Sequence, residues 1–189
     1  MSETTATETS LRDHFLIASP YLEDPRFHGT VIYLCEHSDE GALGLVINRP
    51  LEIQLGEILE QLDMEGGELE QPVLMGGPVQ NERGFVLHRP GNTDWQGSML
   101  VSDQVCLTTS RDILAAIGEG EGPGEFLVAL GYSGWAEGQL EEELAGNSWL
   151  TCPADANMMF QTPWQDLYKA ALAGMGIDLN QLSESTGHA

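Results

Sequence analysis

A chain of 189 residues with 41% hydrophobic composition is long enough to bury one substantial core and too apolar to be disordered. Its thirty acidic residues face seven basic ones, a formal net charge of −23, which opposes simple attachment to a nucleic-acid duplex or an anionic membrane surface. No apolar run approaches the roughly 20 residues that span a bilayer, and the polar segment Met1–Ser10 lacks the basic start of a secretory signal, so a cytoplasmic protein is expected.

The first ten residues read as a tail and Leu11–Ile17 as a short strand closed by Ser19-Pro20; Asp24-Pro25 marks a turn. Thr30–His37 is rich in β-branched and aromatic residues. As a strand it places Val31, Tyr33, Cys35 and His37 on one face and Ile32, Leu34 and Glu36 on the other. The turn Ser38–Gly41 and the apolar run Ala42–Asn48 make an antiparallel hairpin with it. Leu55, Ile58, Leu59 and Leu62 recur at helical spacing and predict a helix over Leu55–Met64, stopped by Gly66-Gly67. Val73–Met75 and Gly84–His88 predict strands flanking Gly76-Gly77-Pro78, and Met99–Ser102 and Val105–Thr108 two more.

Thr109 and Asp112 have the spacing of a capping box for a helix reaching Ile117. Phe126–Leu130 is wholly apolar, as a central strand requires. Gln139–Ala145 predicts a short acidic helix and Trp149–Cys152 a brief strand. Thr162, Pro163 and Gln165 open the last helix, with a buried stripe expected at Trp164, Leu167, Tyr168, Ala171 and Met175. No internal repeat or long linker interrupts the chain, so it reads as a single domain over 11–183 between flexible tails at 1–10 and 184–189.

Several patterns bear on chemistry. Gly131-Tyr132-Ser133-Gly134-Trp135 follows an apolar strand and approximates the G-x-S-x-G turn that exposes a nucleophilic serine. Its last position is tryptophan, and the one histidine beyond Ser133 is His188, beside the C-terminus; a glycine-rich turn is the preferred reading. Gly118 to Gly124, GEGEGPG, runs helix, loop, strand, the reverse of a phosphate loop, and its glutamates repel phosphate. Cys35 and His37 sit about 7 Å apart on one strand face, a spacing for two zinc ligands, but no second pair follows. The three cysteines are odd in number and form no C-x-x-C pair, so a disulfide framework is not expected. Cys35 and Cys106 read as core residues and Cys152 as the most exposed thiol. Arg49, after Asn48 at a strand end, and Arg111, in a first helical turn, are the most distinctive bases; a structural ion pair is the default for both.

Taken together, FLIASP (Phe15–Pro20), VIYLCEH with GALGLVINRP (Val31–Pro50), MGGPV (Met75–Val79), GFVLHRP (Gly84–Pro90), LTTSRDIL (Leu107–Leu114), VALGYSGWAEGQLEEEL with NSWLT (Val128–Thr151) and the ending GIDLNQLSESTGHA resemble the bacterial AlgH/YqgE family, in order and over nearly the whole chain. The resemblance implies a compact α/β sandwich with a mixed, largely antiparallel sheet in a cytosolic protein. It brings a transcriptional-regulator label but no established activity, cofactor or catalytic residue.

The expected function is therefore a regulatory module that binds a protein or a small ligand, with another protein as partner and no direct reading of duplex DNA. Strand-end polar and aromatic groups supply the candidate binding surface: His37, Asn48, Arg49, Gly76, Gly77, Arg111, Tyr132 and Trp135. The alternative is a hydrolase built on Ser133 or a metal enzyme built on Cys35 and His37. No cofactor or resident metal is expected.

Overall fold

A computed structural model of the chain describes residues 10–21, 25 and 27–178; residues 1–9 of the first expected tail, the whole of the second, Asp24 of the expected turn, Arg26 and His188 lie outside the described residues. The first half contains β1 (His14–Ala18), β2 (Val31–Ser38), β3 (Gly41–Val46), β4 (Pro50–Gln54), α1 (Leu55–Gln61), β5 (Pro72–Met75) and β6 (Val79–His88). The second half contains β7 (Ser98–Leu100), β8 (Cys106–Thr108), α2 (Arg111–Gly118), β9 (Phe126–Trp135), α3 (Gln139–Ala145), β10 (Trp149–Pro153), α4 (Ala156–Gln161) and α5 (Trp164–Gly174).

The strands form one sheet in the order β10-β1-β2-β3-β9-β6-β8-β7, with β5 added along β9 and β4 along β5. β5 runs parallel to β9 and the other pairings are antiparallel. The class is the expected α/β one, a largely antiparallel sheet with helices packed on it. The sheet curls. Arg12, just before β1, donates to the carbonyls of Leu100 and Val101 beside β7, at the other end of the strand order.

Strand alternation sorts the core. Phe15, Ile17, Val31, Tyr33, Leu45, Leu74, Phe85, Leu87, Leu107 and Ala129 share the inner face, which Leu167, Ala171 and Leu172 of α5 cover. The outer face is divided. Leu16, Ala18, Ile32, Leu34, Val46 and Trp135 pack on Leu140 of α3; Val73, Val86 and Val128 pack on Leu55 and Leu59 of α1 and Ile113 and Ile117 of α2. Both sides of these strands are dry, which is why their sequences read as continuous apolar runs.

β4 has no counterpart among the expected elements, Ser110 rather than Thr109 caps α2, and α4 and α5 differ from expectation because local signals misled. α4 is a six-residue helix capped by Asp155, whose carboxylate accepts from the Met158 N–H, and Thr162 closes α4 rather than opening α5. Trp164, expected on the buried stripe, is 38% exposed, and Leu172 takes the core position instead.

Two polar clusters tie the far end of the sheet. Arg89 donates from Nε to Glu125 at 2.9 Å, from a terminal nitrogen to Gln104 at 2.8 Å and from the other to Asn157, with its guanidinium 5.3 Å from the Phe160 ring centroid. It thereby fastens α4 to β6 and to the start of β9. His88, 2% exposed, donates from Nδ1 to the Arg89 carbonyl at 2.9 Å, and its Nε2 lies 2.7 Å from the Thr108 hydroxyl. Because a carbonyl only accepts, Nδ1 bears the proton and the neutral ring accepts from Thr108.

Burial holds the His88 pKa below its ordinary 6.5. The unfolded chain therefore binds a proton that the native chain resists. This contribution to stability is complete above about pH 6.5 and is lost as the pH falls from there toward the lowered native value. Urea unfolding between those limits is expected to show this slope, and His88→Gln to lack it.

Candidate functional site

The glycine motifs around β5 and β9 lie against each other. A Cβ on Gly76 would stand 2.3 Å from the Gly131 carbonyl oxygen, one on Gly77 2.1 Å from the Tyr132 carbonyl carbon, and one on Gly131 2.4 Å from the Gly77 carbonyl oxygen. Two backbones thus meet where side chains are excluded on both sides. Gly131 also adopts φ 78°, which resets strand alternation. Before it Val128 faces outward and Ala129 inward; after it Tyr132 faces inward onto Phe85, with ring centroids 5.8 Å apart, and Trp135 outward onto Leu140.

This geometry corrects the nucleophile reading. The Gly131–Trp135 pentapeptide is not a strand-to-helix turn. It continues β9, with Gly44 opposite Ser133, Leu43 opposite Gly134 and Ala42 opposite Trp135. Ser133 is buried, and its hydroxyl donates to the Gly76 carbonyl at 3.2 Å. The hydroxyl thus satisfies a carbonyl of the interlock and is not aimed at a base.

The metal reading fails for a different reason. A β-bulge between Leu34 and Glu36 leaves Cys35 without a partner across the hairpin and shifts the remainder of β2 by one residue. His37 then pairs with Ala42 on the outer face, while Cys35 stays in the inner core. The two side chains are on opposite faces, not the same one. Each is also committed. The Cys35 thiol lies 3.9 Å from the Tyr33 carbonyl, and burial raises its pKa. His37 Nδ1 accepts the Leu11 N–H at 2.8 Å, so the neutral ring's proton sits on Nε2, 2.9 Å from Glu141 of α3. That bond holds the Glu141 carboxyl below the usual carboxylate range. No cluster of three metal-binding side chains occurs among the described residues. Cys152 is the most exposed thiol, as expected; burial raises the pKa of both Cys106 and Cys152.

The remaining candidates occupy separate places. Asn48 is a brace: its side chain accepts the Val31 N–H at 3.0 Å and donates to the Gly29 carbonyl at 2.8 Å. Arg49 donates to the His28 carbonyl at 3.0 Å. Arg111 stands on the outer face at the start of α2. His37, Tyr132 and Trp135 do converge. They line an open groove of about 650 Å³ around the turn between β2 and β3, with Glu36 and Glu40. A second groove of about 330 Å³ shares Val79, Gly134 and Trp135 with the first and extends it past Ser133 toward Glu143 and Trp149. The two form one trough across the end of β9.

Glu143 and Val79 belong to this trough and escape a reading by motif. The indole N–H groups of Trp135 and Trp149 both donate to one Glu143 carboxylate oxygen, each at 2.9 Å, and Gln139 donates to the other at 3.2 Å. The one available signal is helical: Gln139 and Glu143 are four apart on α3. The tryptophans join only through the pairing of distant strands. Val79, 36% exposed after Pro78, is an apolar residue left uncovered at a strand start.

Comparison with known proteins gives a consistent result. A family model described as AlgH-like matches residues 15–180. A UPF0301 protein of Hahella chejuensis is 53% identical over 181 residues, covering 96% of this chain and 97% of its own. A UPF0301 protein of Chromohalobacter salexigens is 47% identical, covering 95% and 98%. The solution structure of the AlgH protein from Pseudomonas aeruginosa is similar with a TM-score of 0.79 at 44% identity, covering 96% and 97%. A crystal structure of a Corynebacterium diphtheriae protein shares the fold, with a TM-score of 0.69 at 18% identity over 89% of this chain and 88% of that one.

The interlock makes a graded prediction. Gly77→Ala should cost about 3 kcal/mol or more, or abolish folding, because neither backbone can retreat. Gly84→Ala, where a Cβ meets nothing within 4 Å, should change stability by no more than about 0.5 kcal/mol. Ser133→Ala should lie between, at about 1 kcal/mol. Equilibrium denaturation of the three variants checks the order.

Proposed function

This chain belongs to the AlgH-like family, and we propose that it is a cytosolic regulatory module that captures a basic segment of another protein in the trough at the end of β9. The observation behind this reading is the trough's composition. Exposed Val79 and the flat Gly134 give an apolar floor beside Tyr132 and Trp135, while Glu36, Glu40 and Glu143 supply negative charge. Among the described residues, Arg12 is the one arginine or lysine lining it, and its guanidinium is engaged with the Leu100 and Val101 carbonyls. Apolar anchors beside charge of a single sign suit a segment that presents lysine or arginine around an apolar side chain.

The chain's charge favours the same class of partner. With a net charge of −23, a basic protein is attracted at long range and a nucleic-acid duplex is repelled. A regulatory effect on transcription would then pass through a protein, and no described helix offers a basic face for a DNA groove. The residues that suggested catalysis support a binding role better, since Ser133 and His37 are engaged in structural hydrogen bonds. No helix of the described residues is long and apolar enough to cross a membrane.

The test is capture from host extract with the full chain, wild type and Val79→Arg, followed by cross-linking to locate the contact. A stoichiometric basic partner is expected, bound less tightly at high salt and lost from Val79→Arg, whose added cation sits where the segment would lie. A partner retained at full strength by that variant would place the contact elsewhere. Titration of duplex DNA at physiological salt should show no sequence-specific binding.

A further inference from the structure

A second concavity lies away from the trough. On the outer face α1 and α2 sit side by side over Val86, Val128 and Leu130 and leave between them a groove of about 430 Å³. This is within the range of small-molecule pockets, roughly 300–1,000 Å³. Among its walls are half-buried aliphatic side chains, Ile58 from α1, Leu62 at the C-cap of α1 and Leu114 from α2. Gln61, Asn81, Thr108, Thr109 and Ser110 add polar groups to the lining, so the groove suits a ligand with an alkyl body and a polar head.

The mouth supplies the other half of the argument. Arg111 lines it and is exposed. Arg12, Arg49, Arg83 and Arg89 each have a hydrogen-bonding partner within the protein. No hydrogen bond or ion pair among the described residues engages the Arg111 guanidinium. Glu82 also lines the mouth but forms no ion pair with it. Arg111 differs from these four in having no partner of any kind among the described residues, in a chain whose acids outnumber its bases thirty to seven. Its position adds to this. Arg111 is the first residue of α2, where a cation opposes the helix dipole and costs stability. Neither packing nor helix formation accounts for it.

We propose that the groove between α1 and α2 binds a small amphipathic carboxylate, with its aliphatic body between Ile58, Leu62 and Leu114 and its carboxylate on Arg111. The guanidinium fork matches a carboxylate in two parallel hydrogen bonds. The single charge matters as well. Glu82 at the mouth and the acidic surface around it repel a polyanion, so nucleotides and polyphosphates are disfavoured. This site is separate from the trough and does not depend on the function proposed for it.

Octanoate, octanol and octyltrimethylammonium share one alkyl chain and differ in the head group. Each is titrated into the full-length protein, with the methyl resonances of Ile58, Leu62, Leu114 and Leu130 followed by NMR. Octanoate should give saturable shifts at these methyls and bind about tenfold tighter than octanol. Arg111→Gln, a change at an exposed position, should keep the native melting profile, erase that preference and leave octanol binding unchanged. The proposal is overturned if octanoate gives no saturable shift, if acid and alcohol bind equally, if the cation binds best, or if Arg111→Gln binds octanoate as the wild type does. Shifts centred on Tyr132 and Trp135 would also overturn it, by placing the ligand in the trough.

Discussion

The contact on which the molecule depends is between two stretches of backbone. Met75–Gly77 and Gly131–Ser133 approach so closely that no Cβ fits at Gly76, Gly77 or Gly131. β9 is the strand through which the sheet is joined, because β3, β5 and β6 all pair with it. β5 and β3 share one edge of β9, the first along Ala129 and Leu130 and the second along Ser133–Trp135. Gly76 sits at the handover: its N–H donates to the Leu130 carbonyl, and its carbonyl accepts both the Val46 N–H and the Ser133 hydroxyl. A side chain there would separate the two halves of the sheet. The outer core is divided at the same place, α1 and α2 on one side and α3 on the other.

Much of this was legible in residue patterns. The β2–β3 hairpin, the apolar start of β9 and α3 declare themselves through periodicity that packing then respects. The features that stayed hidden depend on partners distant in sequence. The bulge at Cys35 cannot be read from alternating residues, since VIYLCEH alternates equally well with or without it; only pairing with Leu43 and Gly44 reveals that one residue is skipped. The interlock was visible as two glycine motifs but not as one contact, because 55 residues separate Gly76 from Gly131. Of the expected site residues, His37, Tyr132 and Trp135 converge, whereas Asn48, Gly76 and Gly77 serve the framework and Arg111 belongs to another face.

Scarcity of bases shapes the rest. Arg12 closes the curl by capping two carbonyls, and Arg89 joins α4 to the sheet. Such bonds from a charged donor are stronger than neutral ones, and these guanidiniums use them to tie distant segments together. Most of the described acids are exposed, hydrated and screened by salt, and their mutual repulsion favours solubility while opposing compaction. Glu143 is one of the acids with a structural role: a carboxylate gripped by two indoles binds α3 to the ends of β9 and β10 and so sets the wall of the trough.

The pentapeptide Gly131–Trp135 shows how the same letters acquire different chemistry. A serine becomes a nucleophile when the chain turns sharply after a strand, leaving the hydroxyl exposed at the turn with a base to receive its proton. Here Gly131, two residues before Ser133, does provide an unusual dihedral, but it redirects the strand without ending it. Pairing with Ala42–Gly44 then carries the chain onward through Trp135. Ser133 is left inside a sheet, where an unsatisfied hydroxyl would cost free energy, and the nearest remedy is the Gly76 carbonyl. For that hydroxyl to attack a substrate, its bond to the Gly76 carbonyl would have to break and a base would have to reach it. The motif's contribution is therefore geometric: by keeping the strand extended and flipping its alternation, it places Tyr132 and Trp135 on opposite faces of β9, both lining the groove at its end.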